Sequence, residues 1–524
     1  MIDRRTLLAT AAAAPLPLPA VAQRRASTLR YVPSANLTVL DPIFTPASVS
    51  ITHGYCVFDT LYGVDAAMAP RPQMAAGHTV SDDGLTWEIT LRDGLKFHDG
   101  EPVRAQDCAA SLDRWSRRDS FGQALAAATE SFGAKDDQTI RIKLTRRFGR
   151  LLDAIGKPHS SPAMIMPERL ARTSPTALVT EMVGSGPYRF VRGEYVSGSR
   201  VVYEKFADYR PRAEAPAWTS GGKVVNFDRL EWQIIPDPAT AAAAIQAGEV
   251  DWLAAVLPEL AQVVGRHRQV DLFRGDPFGV VSVLRFNHLI PPFDRVELRQ
   301  AVLRAIDQTP FIQAITAGPG DGAVCRSMFP CGMPGVSEAG GAVMGSLDVA
   351  AARRAVAEAG YRGERVVILN PTDQPSIHAH GLLVADLLRR IGINVDLQEL
   401  DWGTVVQRRI SRNPVERGGW NIACTNWPAI SIDNPATNAT TRGLGDTGWW
   451  GWFNDPVTEE LVQQWLSAGT AEAANTSFLA AQARAMETVP TIPLGQTFSD
   501  GALRTDIKGA LNASVNLFWN VRRG

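Results

Sequence analysis

The sequence predicts an α/β protein built as two large bodies with a strand leading from one into the other. Three observations predict it. The chain has 524 residues, enough for about three average domains or two large lobes. The stretch from Val280 to Asp307, VVSVLRFNHLIPPFDRVELRQAVLRAID, reads as a buried strand, an abrupt stop and a helix. Residues 346–397 then alternate helix, strand, helix, strand, the pattern of a layered α/β lobe.

The crossover stretch can be justified residue by residue. Val280 to Phe286 is apolar and β-branched, as a buried strand is. Pro291-Pro292 supplies no N–H and ends any regular ladder. Asp294 followed by Glu297 is the arrangement of a helix N-terminus, and Leu298, Val302, Ala305 and Ile306 then recur on one apolar face. An ordinary strand–turn–helix inside one domain fits these residues as well as a passage between two bodies.

Composition narrows the function classes. Hydrophobic residues make up 45% of the chain and the formal net charge is -1, so no nucleic-acid or acidic-membrane partner is expected. The 8 histidines are scattered, which gives no support for a metal cluster, and no cofactor is expected. Arg4-Arg5-Thr6-Leu7-Leu8, an Ala/Leu/Pro run and Ala20-Val21-Ala22 read as a twin-arginine export signal over residues 1–22. No cysteine follows the cleavage site, so a lipid anchor is not expected, and no later stretch reaches the ~18 apolar residues of a membrane span. The product is expected in the periplasm, free of the membrane. Of the 5 cysteines, Cys325 and Cys331 flank a turn-like segment and are the best candidate disulfide. Cys56, Cys108 and Cys424 read as small buried thiols.

In chain order, Leu29 to Val32 is a short strand and Gly84 to Leu91 alternates as a half-buried one. Leu95 to His98 reads as another short strand, and a helix runs from Arg104 to about Arg118 with Cys108, Ser111, Leu112 and Trp115 on one face. Asp93, His98, Asp99 and Glu101 crowd together here and invite an active-site reading, but tight turns favour Asp and Gly for backbone reasons alone. Gly184-Ser185-Gly186-Pro187 is a turn re-entering a sheet at Tyr188. Phe227 to Ile235 is a strand, and Pro238 to Gly248 an alanine-rich helix. Further on, helices are expected at Ser346 to Gly360, Ile377 to Arg390, Pro456 to Trp465 and Ala471 to Met486. Strands are expected at Arg365 to Leu369, Ile393 to Leu397 and Ile492 to Phe498.

Four of these stretches together carry a resemblance: "TW-x-x-x-LRDGLKFHDGEPVRAQDCAASLDRW", "GSGPY", "TAAAAIQAGEVD" and "L-x-F-N … PPFD-x-x-x-LRQA-x-x-x-AID", after an opening "LDP" and "LY". The chain resembles the extracellular solute-binding proteins of the peptide/nickel/opine class, receptors of ABC importers. The resemblance implies a two-lobed periplasmic-binding-protein fold of type II, large class, with an extra subdomain in the first lobe. It divides the chain into residues 23–62, first lobe; 63–182, extra subdomain; 183–281, first lobe again; 282–490, second lobe; and 491–524, return to the first lobe. It implies no enzyme, but a monomeric receptor that delivers a peptide or other small solute to inner-membrane permease subunits.

The resemblance also implies where the ligand sits. Trp402 starts a helix that carries Arg409 to the same face, and peptide-binding members have a Trp and an Arg at that spacing near the cleft. Trp427 falls at a family tryptophan beside the ligand. Trp420, Asn426 and Asp433 complete the candidate set. Two departures stand out. Ile430 occupies the position of the acid that pairs with a peptide's amino group, and Cys424 that of a second arginine. Asp433 substitutes for the acid only if the Pro428–Pro435 loop bulges, so a solute other than an ordinary oligopeptide stays open. Trp449-Trp450-Gly451-Trp452 reads as an aromatic lip or as core, and His378 and His380 diverge on a helix. Two other function classes remain: a periplasmic hydrolase, for which no nucleophile–base motif is found, and a sensory or chaperone-like binding protein.

Overall fold

The computed structural model describes residues 27–316, 318 and 320–524, so the export signal expected over residues 1–22 lies outside the described residues. Two sheets organise the two lobes. The first has seven strands in the order Tyr188–Phe190, Arg200–Lys205, Arg229–Gln233, Thr28–Val32, Trp252–Leu253, Gly501–Arg504 and Val270–Phe273. Thr28–Val32 runs parallel to both neighbours. The parallel connection from Arg229–Gln233 to Trp252–Leu253 is made by the helix Pro238–Ala247. Asp237 caps that helix by accepting from the Thr240 N–H at 2.7 Å, and Gly248 ends it at φ 72°.

A four-stranded antiparallel sheet, ordered Ala75–Val80, Thr86–Leu91, Thr139–Leu144 and Thr129–Ala134, stands apart from the first-lobe sheet. The helix Ala105–Ser116 packs on it, with Cys108, Ser111, Leu112 and Trp115 all buried as their spacing predicts. Leu95 to His98 does not form the expected strand; only an isolated bridge between Lys96 and Pro102 forms. The backbone turns tightly instead, the Gly100 N–H donating to the Phe97 carbonyl at 3.0 Å, and His98 points inward with its Nε2 donating to the Gly186 carbonyl at 3.0 Å. The Asp93–Glu101 cluster therefore contains a buried structural histidine that ties one signature segment to the next. Gly184 and Gly186 are required there by space, since a Cβ on Gly184 would fall 2.1 Å from the Val57 carbonyl oxygen.

The second sheet has six strands in the order Gly322–Ala323, Thr491–Thr497, Val280–Phe286, Ile422–Pro428, Val366–Pro371 and Val395–Leu400. Val280–Phe286 therefore sits wholly inside the second lobe, antiparallel to both neighbours. Thr491–Thr497 pairs in the same sheet, and the next strand, Gly501–Arg504, pairs in the first. The two crossings lie side by side. Arg274 bonds Asp500 at 2.8 Å and Asp321 at 3.0 Å, and its guanidinium lies 5.4 Å from the Phe498 ring centre.

Two helix starts differ from expectation. The helix Val296–Ala305 has no side-chain cap, and Asp294 lies outside it. Arg299 instead gathers the carbonyls of Phe293 and Asp294 at 2.8 and 3.2 Å, which holds the Pro-Pro-Phe-Asp turn from within. The helix expected from Ser346 begins at Val349, because the Asp348 carboxylate accepts from the Ala351 N–H at 2.7 Å. Cys325 and Cys331 are joined in a disulfide, and Cys56, Cys108 and Cys424 are free and buried.

Candidate functional site

Three strands of the second sheet, Val395–Leu400, Val366–Pro371 and Ile422–Pro428, run parallel, so their carboxyl ends lie along one edge. In open α/β sheets this edge is where ligands lodge. Trp427 is the penultimate residue of one such strand, opposite Val281 at the hinge end of Val280–Phe286. Trp402 opens the helix Trp402–Arg408, two residues beyond Leu400. Asp401 caps that helix, accepting from the Thr404 N–H at 2.9 Å, and the Trp402 N–H donates to Asp373 at 2.8 Å.

These residues form one aromatic band. Trp427 meets Trp449 edge-on at 5.4 Å between ring centres, and Trp449 contacts Trp450 at 4.2 Å. The Arg409 guanidinium lies 5.2 Å from the Trp450 ring centre and 5.3 Å from that of Trp402. Among the described residues it has no ion-pair or hydrogen-bond partner, and half-burial shifts its pKa downward. The Trp427 indole N–H is buried and also lacks a partner, an unsatisfied donor of the kind that calls for a ligand or water. The band runs through Trp449 and Trp450, which the sequence left between lip and core. Trp450 is buried, and Trp449 is half-buried with the Arg285 guanidinium 4.9 Å from its ring centre.

The other candidates separate. Trp420 is 0% exposed and packs under Trp450 at 5.4 Å, inside the second lobe. It supports the band from behind and offers no face to a cleft, which corrects the expectation of direct contact. Asn426 bridges elements: its Oδ1 accepts from Ser282 at 2.9 Å and its amide donates to Ser376 at 3.0 Å. Ile430 and Cys424 are buried, and burial pushes the Cys424 thiol up to about 12. His378 and His380 sit on the helix Pro375–Arg390 with unrelated partners, Asn370 and the Phe311 carbonyl.

Asp433 lines a cavity of 280 Å³ between the lobes. From the first lobe come Phe121, Arg150, Asp153 and Lys157; from the second come Asn434, Trp465 and Phe478. The lobes touch beside it. The Gly149 N–H donates to the Leu466 carbonyl at 2.7 Å, and Phe121 packs on Trp465 with ring centres 5.8 Å apart. A smaller cavity of 150 Å³ lies beside the hinge, lined by Tyr31, Ser34, Ser48, Asp276, Val280 and Asn516. His159 stands near both cavities and was missed in the sequence. Its only local signal is a Pro-His-Ser-Ser turn, with Ser160 and Ser161 at positive φ.

Two lobes joined by paired crossings, with an aromatic band at the carboxyl edge of a parallel sheet, define an interlobe binding protein. The chain belongs to the bacterial extracellular solute-binding proteins, family 5 Middle, whose description matches residues 69–449. It is 35% identical over 100% of its length, and 99% of the relative's, to the probable peptide ABC transporter periplasmic-binding protein y4tO of Sinorhizobium fredii. It is 27% identical to the glutathione-binding protein GsiB of Salmonella typhi, over 76% of this chain and 78% of that one. Among solved structures it superposes on the ABC transporter substrate-binding protein CtaP of Listeria monocytogenes with TM-score 0.79. That match has 19% identity and covers 95% of this chain and 99% of the other. The fold is thus the two-lobed type II binding-protein fold, and these relatives are solute-binding proteins of ABC transporters rather than enzymes. No helix among the described residues is long and apolar enough to cross a membrane.

Proposed function

We propose that this protein captures a peptide, or another small polar and partly apolar solute, between its lobes in the periplasm and hands it to an inner-membrane ABC permease. The observation that carries this reading is the aromatic band itself. Trp427 presents a buried indole N–H with nothing to bond, and Arg409 presents a guanidinium stacked on two tryptophans with no counter-ion. A ligand with an acceptor group and a carboxylate satisfies both, while the rings wall its apolar parts. Asn426 precedes Trp427 on the same strand, and Asp433 lies in the loop after it, lining the interlobe cavity. The mature protein begins near Gln23, after twin-arginine export and cleavage at Ala22, and works as a monomer.

Native mass spectrometry of protein purified without denaturation tests the reading. A stoichiometric adduct that leaves chemically unchanged on unfolding is expected, together with a smaller radius in small-angle scattering when that adduct is returned. Consumption of the released compound by the protein would instead make it a hydrolase. A membrane sensor recovered in a pull-down in place of permease subunits would favour the sensory alternative.

A further inference from the structure

Arg285 is the one charged residue of the strand Val280–Phe286, and it is 1% exposed. It stands opposite Ala423 while Val281 stands opposite Trp427, so the alternation of strand side chains puts Arg285 and Trp427 on the same side of the sheet. No described acid pairs with its guanidinium. Nε donates to the Trp450 carbonyl at 3.0 Å, and Nη1 to the Thr440 and Pro490 carbonyls at 2.9 and 3.0 Å. Burial, helped by Arg299, lowers its pKa to about 9. An apolar side chain would fill this space without the cost of taking a charge out of water. What only the arginine supplies is a planar fork of donors that joins three distant segments. The Trp449–Trp452 turn rests on that fork. The Trp449 carbonyl accepts from the Trp452 N–H at 3.0 Å and the Gly451 carbonyl from the His288 N–H at 2.9 Å, which leaves the Trp450 carbonyl to Arg285. Gly451, at φ 92°, is pressed so closely on the strand end that a Cβ would fall 2.3 Å from the Phe286 carbonyl oxygen and 2.7 Å from Arg285 Nε. The Trp449 ring lies over the guanidinium at 4.9 Å.

We propose that Arg285 is the positioning residue of the aromatic band: from inside the crossover strand it holds the Trp449–Trp452 turn so that Trp449 stands between Trp427 and Trp450. The proposal rests on the interlobe receptor reading and deepens it, because the wall offered to a solute then depends on a residue that touches no solute. Trp427 and Arg285 lie on paired strands, so the two ends of the band move as one unit with the strand that leads out of the hinge. Arg299 provides an internal comparison. It too is buried and held by carbonyls alone, those of Phe293, Asp294, Thr488 and Val489, and none of these belongs to the band.

The test uses the mature protein with no ligand added. Among the described residues tryptophan meets tryptophan at three places, and Trp449 takes part in two, with Trp450 at 4.2 Å and with Trp427 at 5.4 Å. Indoles this close couple their transitions and give paired bands of opposite sign in circular dichroism, which Trp449→Phe assigns by difference. Arg285→Met should lose the Trp449 couplet and, in native mass spectrometry, the adduct that co-purifies with the native protein. Arg299→Met should lower the urea midpoint yet keep both. A native couplet in Arg285→Met, or equal loss of it in Arg299→Met, overturns the proposal. Loss of the couplet with the adduct retained overturns it too, since the solute would then not use the positioned wall. If Arg285→Met does not fold, Arg285→Lys decides: an ammonium lacks the planar fork, so a reduced couplet is expected and a native one overturns the proposal. Absence of any adduct from the native protein counts against the receptor reading, while the couplet still decides whether Arg285 positions the band.

Discussion

His159, on the first lobe, bonds Ser431 of the second lobe through Nδ1 at 2.9 Å and Ser48 of its own lobe through Nε2 at 3.1 Å. A neutral imidazole has one donor and one acceptor nitrogen, so both are used. Ser431 follows Trp427 by four residues, and the bridge ties the aromatic band of one lobe to the opposing wall. The contact with Ser431 can exist only while the lobes are together.

His159→Ala should therefore loosen closure. Of the two hydrogen bonds lost only the one to Ser431 crosses between the lobes. At about 1 kcal/mol its loss should lower ligand affinity roughly fivefold, and the radius of the ligand-free protein should rise in small-angle scattering. Ser431→Ala removes the same bond and should give a similar change. Unchanged scattering and affinity in both variants would show that the bridge does not hold the lobes.

Acid should weaken the fold through the same residue. Burial lowers His159 and His53 from 6.5 to about 3. Below pH 6.5 the unfolded chain takes up protons that the native state refuses. Stability is thus level above 6.5 and lost between 6.5 and 3, by about 1.4 kcal/mol per pH unit for each histidine. Asp433 runs the other way, because its native carboxyl is raised to about 6 from 3.8. The native state keeps a proton that the unfolded chain releases, so this group costs stability as pH rises from about 4 to 6. Urea midpoints at pH 7, 5.5 and 4.5 should fall with acid in the native protein. Asp433→Asn should gain most at pH 7, by up to roughly 3 kcal/mol.

Trp427 and Trp420 should divide binding from stability. Trp427→Ala removes a partly exposed wall and an unpaired donor, and should cost about 2 kcal/mol of affinity, roughly thirtyfold, with little change in unfolding. Trp420→Ala empties a fully enclosed site and should cost about 3–5 kcal/mol of stability. Calorimetry and urea unfolding on both variants check the division.

Arg409→Leu should weaken acidic ligands selectively. A peptide with a free carboxylate should lose about tenfold or more in affinity, and its C-terminal amide much less. Equal losses for the two would mean that Arg409 serves only to pack Trp402 against Trp450.

Reduction of Cys325–Cys331 should be tolerated by the fold. The loop spans 6 residues in sequence, so its closure contributes only about 2 kcal/mol by loop entropy. The double serine variant should unfold at lower urea yet keep its ligand. The bonded segment leads into Pro334 and Gly335, which line the interlobe cavity.

Much of the scaffold was legible because its signals are local. Val280–Phe286 ends where the apolar run ends, and Pro238–Ala247 stops at Gly248 as its glycine demands. The site was legible only in part. Trp402 and Arg409 were paired by helical spacing, and Trp427 by resemblance, but nothing local showed that Trp449 and Trp450 join them. Trp420 looked no different from Trp427 in sequence, yet one is sealed in the core and the other is partly exposed near the end of its strand. Asp294 had the spacing of a cap, yet the helix starts after Arg295 with no side-chain cap, while Arg299 binds the carbonyls of Phe293 and Asp294, contacts visible only when the turn is folded.

The sequence by itself determined most of the elements and the glycine stop at Gly248, since hydrophobic period, proline and glycine act within a few residues. It also determined, through its resemblance, that two lobes would face each other. The tertiary structure alone decided which tryptophans form a wall, which sheet owns the hinge strands, and which arginines are left without a counter-charge. Those outcomes depend on partners brought together from distant parts of the chain, as Ser48, His159 and Ser431 are, and no local pattern encodes them.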